Sequence, residues 1–144
     1  MDIRLMDERD REPLLEMMRV FYASPAVLTD GSEEIFNNDI SECVGSSPYA
    51  EGYVFEEKGT LVGYSMLAKS YSTEFGRPCV WIEDLYFKDK YRGRGFGSAF
   101  FDFLKQKYPS SVFRLEAEEE NSGAVNMYRK NGFRELPYVE MIIV

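Results

Sequence analysis

The sequence predicts a mixed α/β fold in which one sheet carries helices on both of its faces. Strand-like and helix-like segments follow one another in the order βαα-βββ-αβ-αβ, which is typical of mixed folds. Lys58-Gly59 separates two strand-like runs, as in a β-hairpin. A glycine-rich turn after Phe87 joins a strand-like run to a helix-like run.

The first part of the chain begins with an alternating strand at residues 2–6 and continues with two helices. Asp7 and Asp10 are suited to cap the first helix, and Ser32 precedes the second. Apolar residues recur every three or four positions, as expected of helices that bury one face. They are Leu14, Leu15, Met18, Phe21 and Tyr22 in the first helix, which Pro25 ends, and Ile35, Ile40 and Val44 in the second.

The remainder is predicted to contain strands at residues 52–57, 60–70, 80–87, 112–117 and 138–144, and helices at residues 97–107 and 122–130. Phe100, Phe101 and Leu104 form the inward stripe of the helix at 97–107. A chain of 144 residues has ordinary domain size and buries enough surface for a core. We therefore expect residues 1–144 to form a single domain.

Composition narrows the class of protein. Hydrophobic residues make up 44% of the chain, which argues against disorder. No run of 18 apolar residues occurs and the N-terminus lacks a secretory segment, so we expect a cytoplasmic protein that is not bound to a membrane. The net charge of −8 and the lack of an extended basic stripe argue against a nucleic-acid partner.

Cysteine and histidine content restricts the chemistry. Cys43 and Cys79 lack a metal-type spacing and are expected to be reduced core residues. The chain has no histidine, which excludes nucleophiles activated by an imidazole base and makes a transition-metal site improbable. We expect no metal, and acid–base chemistry is left to carboxylates, tyrosine or water.

The glycine-rich turn is suited to bind phosphate groups. Glycines let the backbone approach an anion, and the next helix directs its first N–H groups and its dipole at it. Four cations, Lys88, Lys90, Arg92 and Arg94, lie beside these glycines. No lysine follows the glycines as a Walker loop requires, and the third glycine of a dinucleotide fingerprint is missing.

Three blocks of the chain resemble the GCN5-related N-acetyltransferase (GNAT) superfamily. Arg92-x-x-Gly95-x-Gly97 is similar to its coenzyme A pyrophosphate signature, and residues 81–87 to its fourth strand. The run from Asn121 through Tyr128 to Phe133 is similar to its NxxAxxxYxKxGF helix. These blocks cover about residues 80–134, and their joint order is more specific than any one of them.

The resemblance implies a GNAT-like fold with a mostly antiparallel central sheet. In that fold the strands matching residues 80–87 and 112–117 run parallel and splay apart, and the pantetheine arm of acetyl-CoA, the co-substrate, lies in the gap. The thioester is then expected near Leu85, whose N–H would hold the oxyanion. The cofactor-binding residues implied are Leu85, Tyr86, Phe87, Arg92, Gly93, Arg94, Gly95, Phe96, Gly97, Ser98, Asn121 and Tyr128.

The resemblance also suggests a catalytic role for Tyr128, as the general acid that protonates the departing thiolate of coenzyme A. A second interpretation is that Tyr128 only packs its helix against the sheet. Asn121 is explained as a helix N-cap that bonds to N–H groups near Ala124, and its family counterpart also contacts pantetheine. These two roles of Asn121 are compatible.

Carboxylates near the expected thioester are candidates for the base that deprotonates the amine. Glu83-Asp84-Leu85 resembles the corresponding run of diamine (spermidine/spermine) acetyltransferases, where the glutamate works through water. Adjacent strand residues face opposite ways, so both acids line the cleft only if a bulge intervenes. We favour Glu83, with Asp84 or water as alternatives.

An acidic segment bears on the acceptor. Residues 20–57 contain eight acids and no Lys or Arg: Asp30, Glu33, Glu34, Asp39, Glu42, Glu51, Glu56 and Glu57. In the family the first helices and their connection form the acceptor side. An acidic rim there would attract a cationic amine, although an acidic protein surface can also serve solubility alone.

The resulting hypothesis is an acetyl-CoA-dependent N-acetyltransferase that acts on a small cationic amine by direct attack in a ternary complex, with a homodimer as one assembly to consider. Two alternatives remain open: a non-catalytic acyl-CoA-binding sensor or docking module, and a protein N-terminal or lysine acetyltransferase. The sequence does not decide the acceptor or the acyl length.

Overall fold

A computed structural model describes residues 1–144 and shows one five-stranded sheet in the order β1-β2-β3-β4-β5. The strands are β1 (Asp2–Leu5), β2 (Ala50–Glu57), β3 (Thr60–Ser72), β4 (Arg77–Phe87) and β5 (Val112–Leu115). The helices are α1 (Arg11–Tyr22), α2 (Glu33–Val44), α3 (Phe96–Lys107) and α4 (Ser122–Lys130). Strands β1 to β4 are antiparallel, and β4 and β5 are parallel, which confirms the mixed fold.

Local sequence signals account for where several elements begin. The Asp7 side chain accepts a hydrogen bond from the Arg9 N–H and opens a single 3₁₀ turn that leads into α1. The Ser32 hydroxyl accepts from the Ile35 N–H at 3.1 Å and caps α2. Lys58 and Gly59 both have positive φ, 51° and 78°, as a tight hairpin turn between β2 and β3 requires.

The sheet separates two apolar clusters, so helices do cover both faces. On one face α1 and α2 bury Leu14, Met18 and Ile40 against Val54 and Tyr64. On the other face α3 buries its predicted stripe against β2, β3 and β4, and α4 packs at the edge of that cluster through Met127 and Tyr128. Cys79 is buried and both cysteines are free thiols, as expected. No helix is both long and apolar enough to cross a membrane.

The predicted buried face of α2 is rotated by one residue. Ile35 was expected to point inward, but its side chain is 49% exposed. Phe36 is 3% exposed and occupies the inward position with Ile40 and, partly buried, Val44. These three residues are spaced by four, so they share one helix face. Ile35 lies next to this row, where periodicity alone cannot separate it from the buried face.

The strand predicted at residues 138–144 is wrong: this segment belongs to no strand or helix. Its apolar side chains are exposed, as the values of 84% for Ile142 and 98% for Ile143 show. Strand propensity needs a neighbouring edge to pair with, and here the segment is attached by side chains instead. The Tyr138 hydroxyl donates to the Glu74 carboxylate at 2.6 Å, and Glu140 lies beside Glu116.

A β-bulge interrupts the pairing of β3 with β4 at Glu83. Met66 lies opposite Asp84 and Leu67 opposite Ile82, so Glu83 has no partner residue in β3. The extra residue reverses the alternation of side chains along β4. Asp84 therefore points to the face covered by α1 and α2, where Tyr22 and Tyr64 contact it. Because of the bulge, Glu83 and Asp84 do not have to face opposite sides of the sheet.

The parallel pairing of β4 with β5 also ends at this point. The paired residues run from Cys79 with Val112 to Ile82 with Leu115, and no pair follows. Residues 83–87 of β4 consequently lack a neighbouring strand on the β5 side. We call the space beside residues 83–87, where β4 has no β5 neighbour, the gap.

A buried hydroxyl supports the bulge. Ser65 is fully buried, and its Oγ donates to the main-chain carbonyl of Asp84 at 2.7 Å. A buried carbonyl oxygen gains stability from such a donor. Ser65 provides that donor from the neighbouring strand.

We expect Ser65→Ala to lower the free energy of unfolding by about 0.5–1.5 kcal/mol, because it removes a buried hydrogen bond to the Asp84 carbonyl. Chemical denaturation measures this difference. Ser70→Ala is the matched control: Ser70 lies on the same strand, is exposed and makes no side-chain hydrogen bond. Equal unfolding free energies for the two variants would contradict the role given to the Ser65 hydroxyl.

Candidate active site

The glycine-rich turn lies between β4 and α3, next to the gap. Gly93 and Gly95 have φ of +69° and +80°, a conformation that favours glycine. A Cβ at Gly95 would meet no atom within 4 Å, so the free protein needs glycine there for its backbone angle. Gly95 is also the N-cap of α3, so the turn delivers the chain directly into the helix.

The first turn of α3 supplies the anion-binding groups. The Ala99 N–H bonds to the Gly95 carbonyl at 3.1 Å, whereas the N–H groups of Phe96, Gly97 and Ser98 precede the first helical hydrogen bond. These N–H groups point out of the helix end that carries partial positive charge. Such a helix end is suited to bind an anion.

The two arginines of the turn are held by different contacts. Arg92 donates through Nε to the Phe87 carbonyl at 2.8 Å, pairs with Asp89 at 2.8 Å and lies over the Tyr86 ring at 5.6 Å. Arg94 lies 4.9 Å from the centre of the Phe96 ring. Both guanidinium groups are therefore oriented at the surface beside the α3 N-terminus.

Two predicted phosphate contacts have a packing role in the structure. A Cβ at Gly97 would lie 3.1 Å from Cε of Met127, so Gly97 allows α4 to approach α3. The Ser98 hydroxyl accepts from Nδ2 of Asn131 at 2.9 Å, which turns it toward α4. Both residues retain their main-chain N–H groups for an anion.

Leu85, Tyr86 and Phe87 form the end of β4 that has no β5 neighbour. Leu85 and Phe87 pack on the α3 side of the sheet. Tyr86 is 6% exposed and packs on the opposite side against Tyr64, with ring centres 5.9 Å apart. Because these side chains pack in the two apolar clusters, residues 85–87 present main-chain groups to the gap.

Tyr128 lies in the second half of α4, against the core. Its ring contacts Phe101 and Phe133, each with centres 6.0 Å apart. Burial raises the pKa of its phenol, which therefore keeps its proton at neutral pH, and no hydrogen bond engages the hydroxyl. At the start of α4, Oδ1 of Asn121 accepts from the Ala124 N–H at 3.4 Å, so Asn121 is the predicted N-cap.

The bulge residue Glu83 reaches the surface and has no basic partner. Crowding by protein atoms and repulsion from Glu140 raise the pKa of its carboxyl above the ordinary value. On α2, burial and the charge of Glu83 raise the pKa of Asp39 in the same way. The Glu83 carboxylate on β4 is thus close enough for its charge to act on Asp39 of α2.

Asp84 makes a contact that the sequence did not reveal. Its carboxylate is 4% exposed and accepts hydrogen bonds from the Tyr22 hydroxyl at 3.0 Å and the Tyr64 hydroxyl at 2.9 Å. Burial raises its pKa to about 6, although the two phenols act in the opposite direction. Tyr22 and Tyr64 are far from Asp84 in sequence, and helix periodicity marked Tyr22 only as a core residue.

Cations elsewhere in the chain neutralise part of the acidic segment at residues 20–57. Four of its acids are engaged by cations: Glu33 by Arg19, Glu51 by Lys69 and Lys107, Glu56 by Arg4, and Glu57 by the N-terminal amino group. Asp39 is the member of the segment whose charge acts on Asp84. If the acceptor side is acidic, its charge therefore depends on Asp39, Glu83 and Asp84 more than on the number of acids in residues 20–57.

The chain is similar to curated acetyltransferases. It is 36% identical over 83 residues to a thialysine N-epsilon-acetyltransferase of Sus scrofa, covering 56% of this chain and 48% of the pig protein. It is 27% identical over 109 residues to a spermine/spermidine N(1)-acetyltransferase of Bacillus subtilis, covering 72% of this chain and 69% of that protein. The chain spans about half the length of the thialysine enzymes that it matches.

Solved structures share the fold over nearly the whole chain. A possible acetyltransferase from Clostridium difficile 630 has a TM-score of 0.80 at 17% identity and covers 99% of this chain and 97% of its own. The aminoglycoside N-acetyltransferase AAC(6′)-Iy, solved with a bisubstrate analogue, has a TM-score of 0.81 at 15% identity, with 99% and 97% coverage.

A family model described as the acetyltransferase (GNAT) family matches residues 14–133, which include the turn, the bulge, Asn121 and Tyr128. Since this match spans well over half of the chain, the chain belongs to the GNAT acetyltransferase family.

Proposed function

We propose that this protein transfers the acetyl group of acetyl-CoA to a primary amine of a small cationic acceptor, by direct attack in a ternary complex. The observation that carries the proposal is the juxtaposition at the end of β4. There, a phosphate-binding turn, an unpaired strand edge and two carboxylates at a bulge adjoin one gap. The names of the thialysine and spermine/spermidine relatives support an amine acceptor.

Coenzyme A would bind along the gap. Its pyrophosphate would lie at the α3 N-terminus, on the N–H groups of the turn, with Arg92 and Arg94 neutralising charge. Its pantetheine arm would follow the open edge at Leu85–Phe87, whose main chain has no β5 neighbour. The Leu85 N–H would then stabilise the oxyanion, a contribution of about 3–4 kcal/mol for one such donor.

Tyr128 would protonate the leaving group. Attack of the amine on the thioester forms a C–N bond, the nitrogen of the adduct loses its second proton to water, and collapse of the adduct breaks the C–S bond and expels a thiolate. The raised pKa of the buried phenol keeps a proton available at neutral pH, and the hydroxyl is free of other hydrogen bonds. The tyrosinate would regain its proton from solvent after coenzyme A leaves.

Glu83 would accept the proton of the attacking ammonium, directly or through water. An alkylammonium has a pKa of about 10.4, so it must lose a proton before or during attack. The unpaired bulge position leaves the Glu83 carboxylate free of basic partners, and its raised pKa makes it a better base than an ordinary glutamate. Asp84 is less suited because two phenols already occupy its oxygens.

Release of thiol from acetyl-CoA tests the proposed reaction. With purified protein and a panel of amines, we expect a diamine to give a higher kcat/KM than an amine of similar size with a neutral tail, because the carboxylates attract the second charge. The advantage should shrink as salt shortens the Debye length below about 10 Å. Asp39→Asn should raise the KM of the diamine selectively, whereas Glu42→Gln, farther along the same helix, should not.

Equal salt responses of the two amines would contradict the cationic acceptor. Acetylation of peptides alone would indicate a protein acetyltransferase. Tight binding of acetyl-CoA in calorimetry without thiol release for any amine or peptide would indicate a non-catalytic acyl-CoA binder.

Tyr128→Phe should lower kcat by roughly 10²–10⁴-fold, the usual loss for a general acid, and leave acetyl-CoA affinity nearly unchanged. The change removes one hydroxyl that bonds to nothing in the free protein, so stability should be little affected. Steady-state kinetics and calorimetry measure the two effects. Turnover close to that of the unaltered protein would leave Tyr128 with a packing role only.

Glu83→Gln should lower kcat at neutral pH by roughly 10²–10⁴-fold and remove the acidic limb of the pH–rate profile. Activity should recover partly as the pH rises toward the amine pKa of about 10.4, since the free amine then needs no base. Asp84→Asn is the comparison. If that variant and not Glu83→Gln loses the acidic limb, Asp84 is the base.

A further inference from the structure

One hydrogen bond ties the end of α1 to the bulge of β4. The hydroxyl of Tyr22, the last residue of α1, donates to Oδ1 of Asp84 at 3.0 Å. The acceptor is a buried carboxylate whose position is set by the bulge and by the Ser65 contact to its own carbonyl. This bond connects a helix end to the strand on which the chemistry is proposed.

The second phenol on the same carboxylate connects elements that are already joined. Tyr64 donates to Oδ2 of Asp84 at 2.9 Å, but it lies on β3, the strand paired with β4. In this register Tyr64 faces Tyr86, and Met66 faces Asp84. Losing the Tyr64 hydroxyl removes a hydrogen bond without freeing an element, whereas losing the Tyr22 hydroxyl frees the end of α1.

The connection from α1 to α2 rests on the Tyr22 ring. Residues 23–32 contain no helix or strand, and they begin directly after Tyr22. The Tyr22 ring packs on Phe36 of α2 with centres 5.1 Å apart. A Cβ at Gly31, where φ is +66°, would lie 2.4 Å from Phe36 and 3.3 Å from Tyr22. Both ends of the connection therefore contact the Tyr22 and Phe36 rings, and Asp84 holds the Tyr22 ring in place through its hydroxyl.

The acidic groups of the cleft adjoin this anchor. The charges of Asp39 on α2 and Glu83 on β4 both help to raise the pKa of Asp84 and of Tyr22. A shift of the α1 end or of α2 would change the distance between Asp39 and the bulge. The width of the space between α2 and β4 thus depends on where Tyr22 is held.

We propose that Tyr22 and Asp84 are positioning residues: their hydrogen bond holds the 23–32 connection and α2 against β4 and so shapes the binding site of the acceptor amine. The acceptor part of this inference rests on the proposed function. The tether itself does not.

Tyr22→Phe and Tyr64→Phe form a matched pair, because each removes one phenol from the same carboxylate and keeps its ring. We expect Tyr22→Phe to speed hydrogen exchange of residues 23–32 and to raise the KM of the amine roughly tenfold, as for a lost bond to a charged group. The KM of acetyl-CoA and kcat at saturating amine should change less than twofold. A change of that size corresponds to the free-energy effect of about 0.5 kcal/mol or less that a conservative surface substitution usually has. Tyr64→Phe should leave both the exchange of residues 23–32 and the amine KM unchanged, even where thermal unfolding shows a larger loss of stability.

Equal effects of the two variants on exchange, or no effect of Tyr22→Phe, would overturn the tether. Faster exchange of residues 23–32 with an unchanged amine KM would overturn the role in acceptor binding. If the unaltered protein acetylates no amine, the proposed function and the acceptor role both fail. In that case hydrogen exchange alone still supports or overturns the tether.

Discussion

The central constraint in this structure is that β4 loses its β5 neighbour near Glu83, where its register with β3 also slips. Pairing with β5 stops after Ile82, and pairing with β3 slips by one residue at the bulge. Up to that point the strand belongs to a buried sheet whose backbone groups bond to one another. Beyond it, main-chain groups face a gap, and the next residues lead to the anion-binding end of α3. An open main-chain edge beside the N-terminus of α3 follows from this one interruption, and such a helix end is suited to an anion.

The same interruption places negative charge where the protein has little water. Asp84 turns inward because of the bulge, and only phenols, not cations, stabilise its carboxylate. Burial is the main cause that raises the pKa of Asp84, Asp39 and Glu83. The charge of Glu83 adds to the effect on Asp39 and Asp84, and the charge of Glu140 adds to the effect on Glu83. Elsewhere in the chain acids are matched by cations, as Glu56 is by Arg4 and Glu51 by Lys107. An unmatched acidic region therefore lies at the bulge, whereas the cations Arg92 and Arg94 lie at the glycine-rich turn beyond it.

Much of the site could be predicted because its signals are local. The glycines of the turn are required by backbone angles, and Asn121 caps α4 by a hydrogen bond from the Ala124 N–H, three residues later in the chain. Contacts between distant elements left weaker traces. The packing of Gly97 on Met127 and the bond from Asn131 to Ser98 depend on how α4 approaches α3. Ile35 and residues 138–144 show the limit of pattern: hydrophobicity does not say which side of a helix faces the sheet, nor whether a strand-like run finds an edge.

The sequence by itself determined the order of the elements up to α4, the caps, the hairpin and the glycine-rich turn, because each depends on residues within a few positions of one another. It also restricted the chemistry, since a chain without histidine must use carboxylates, tyrosine or water. Only the tertiary structure decided that Glu83 occupies a bulge and that Asp84 faces α1. Strand register is a property of two strands at once, and a slip of one residue moves a side chain to the other face. The partners of Asp84, Tyr22 on a helix and Tyr64 on another strand, come together only when that register and the helix packing are both formed.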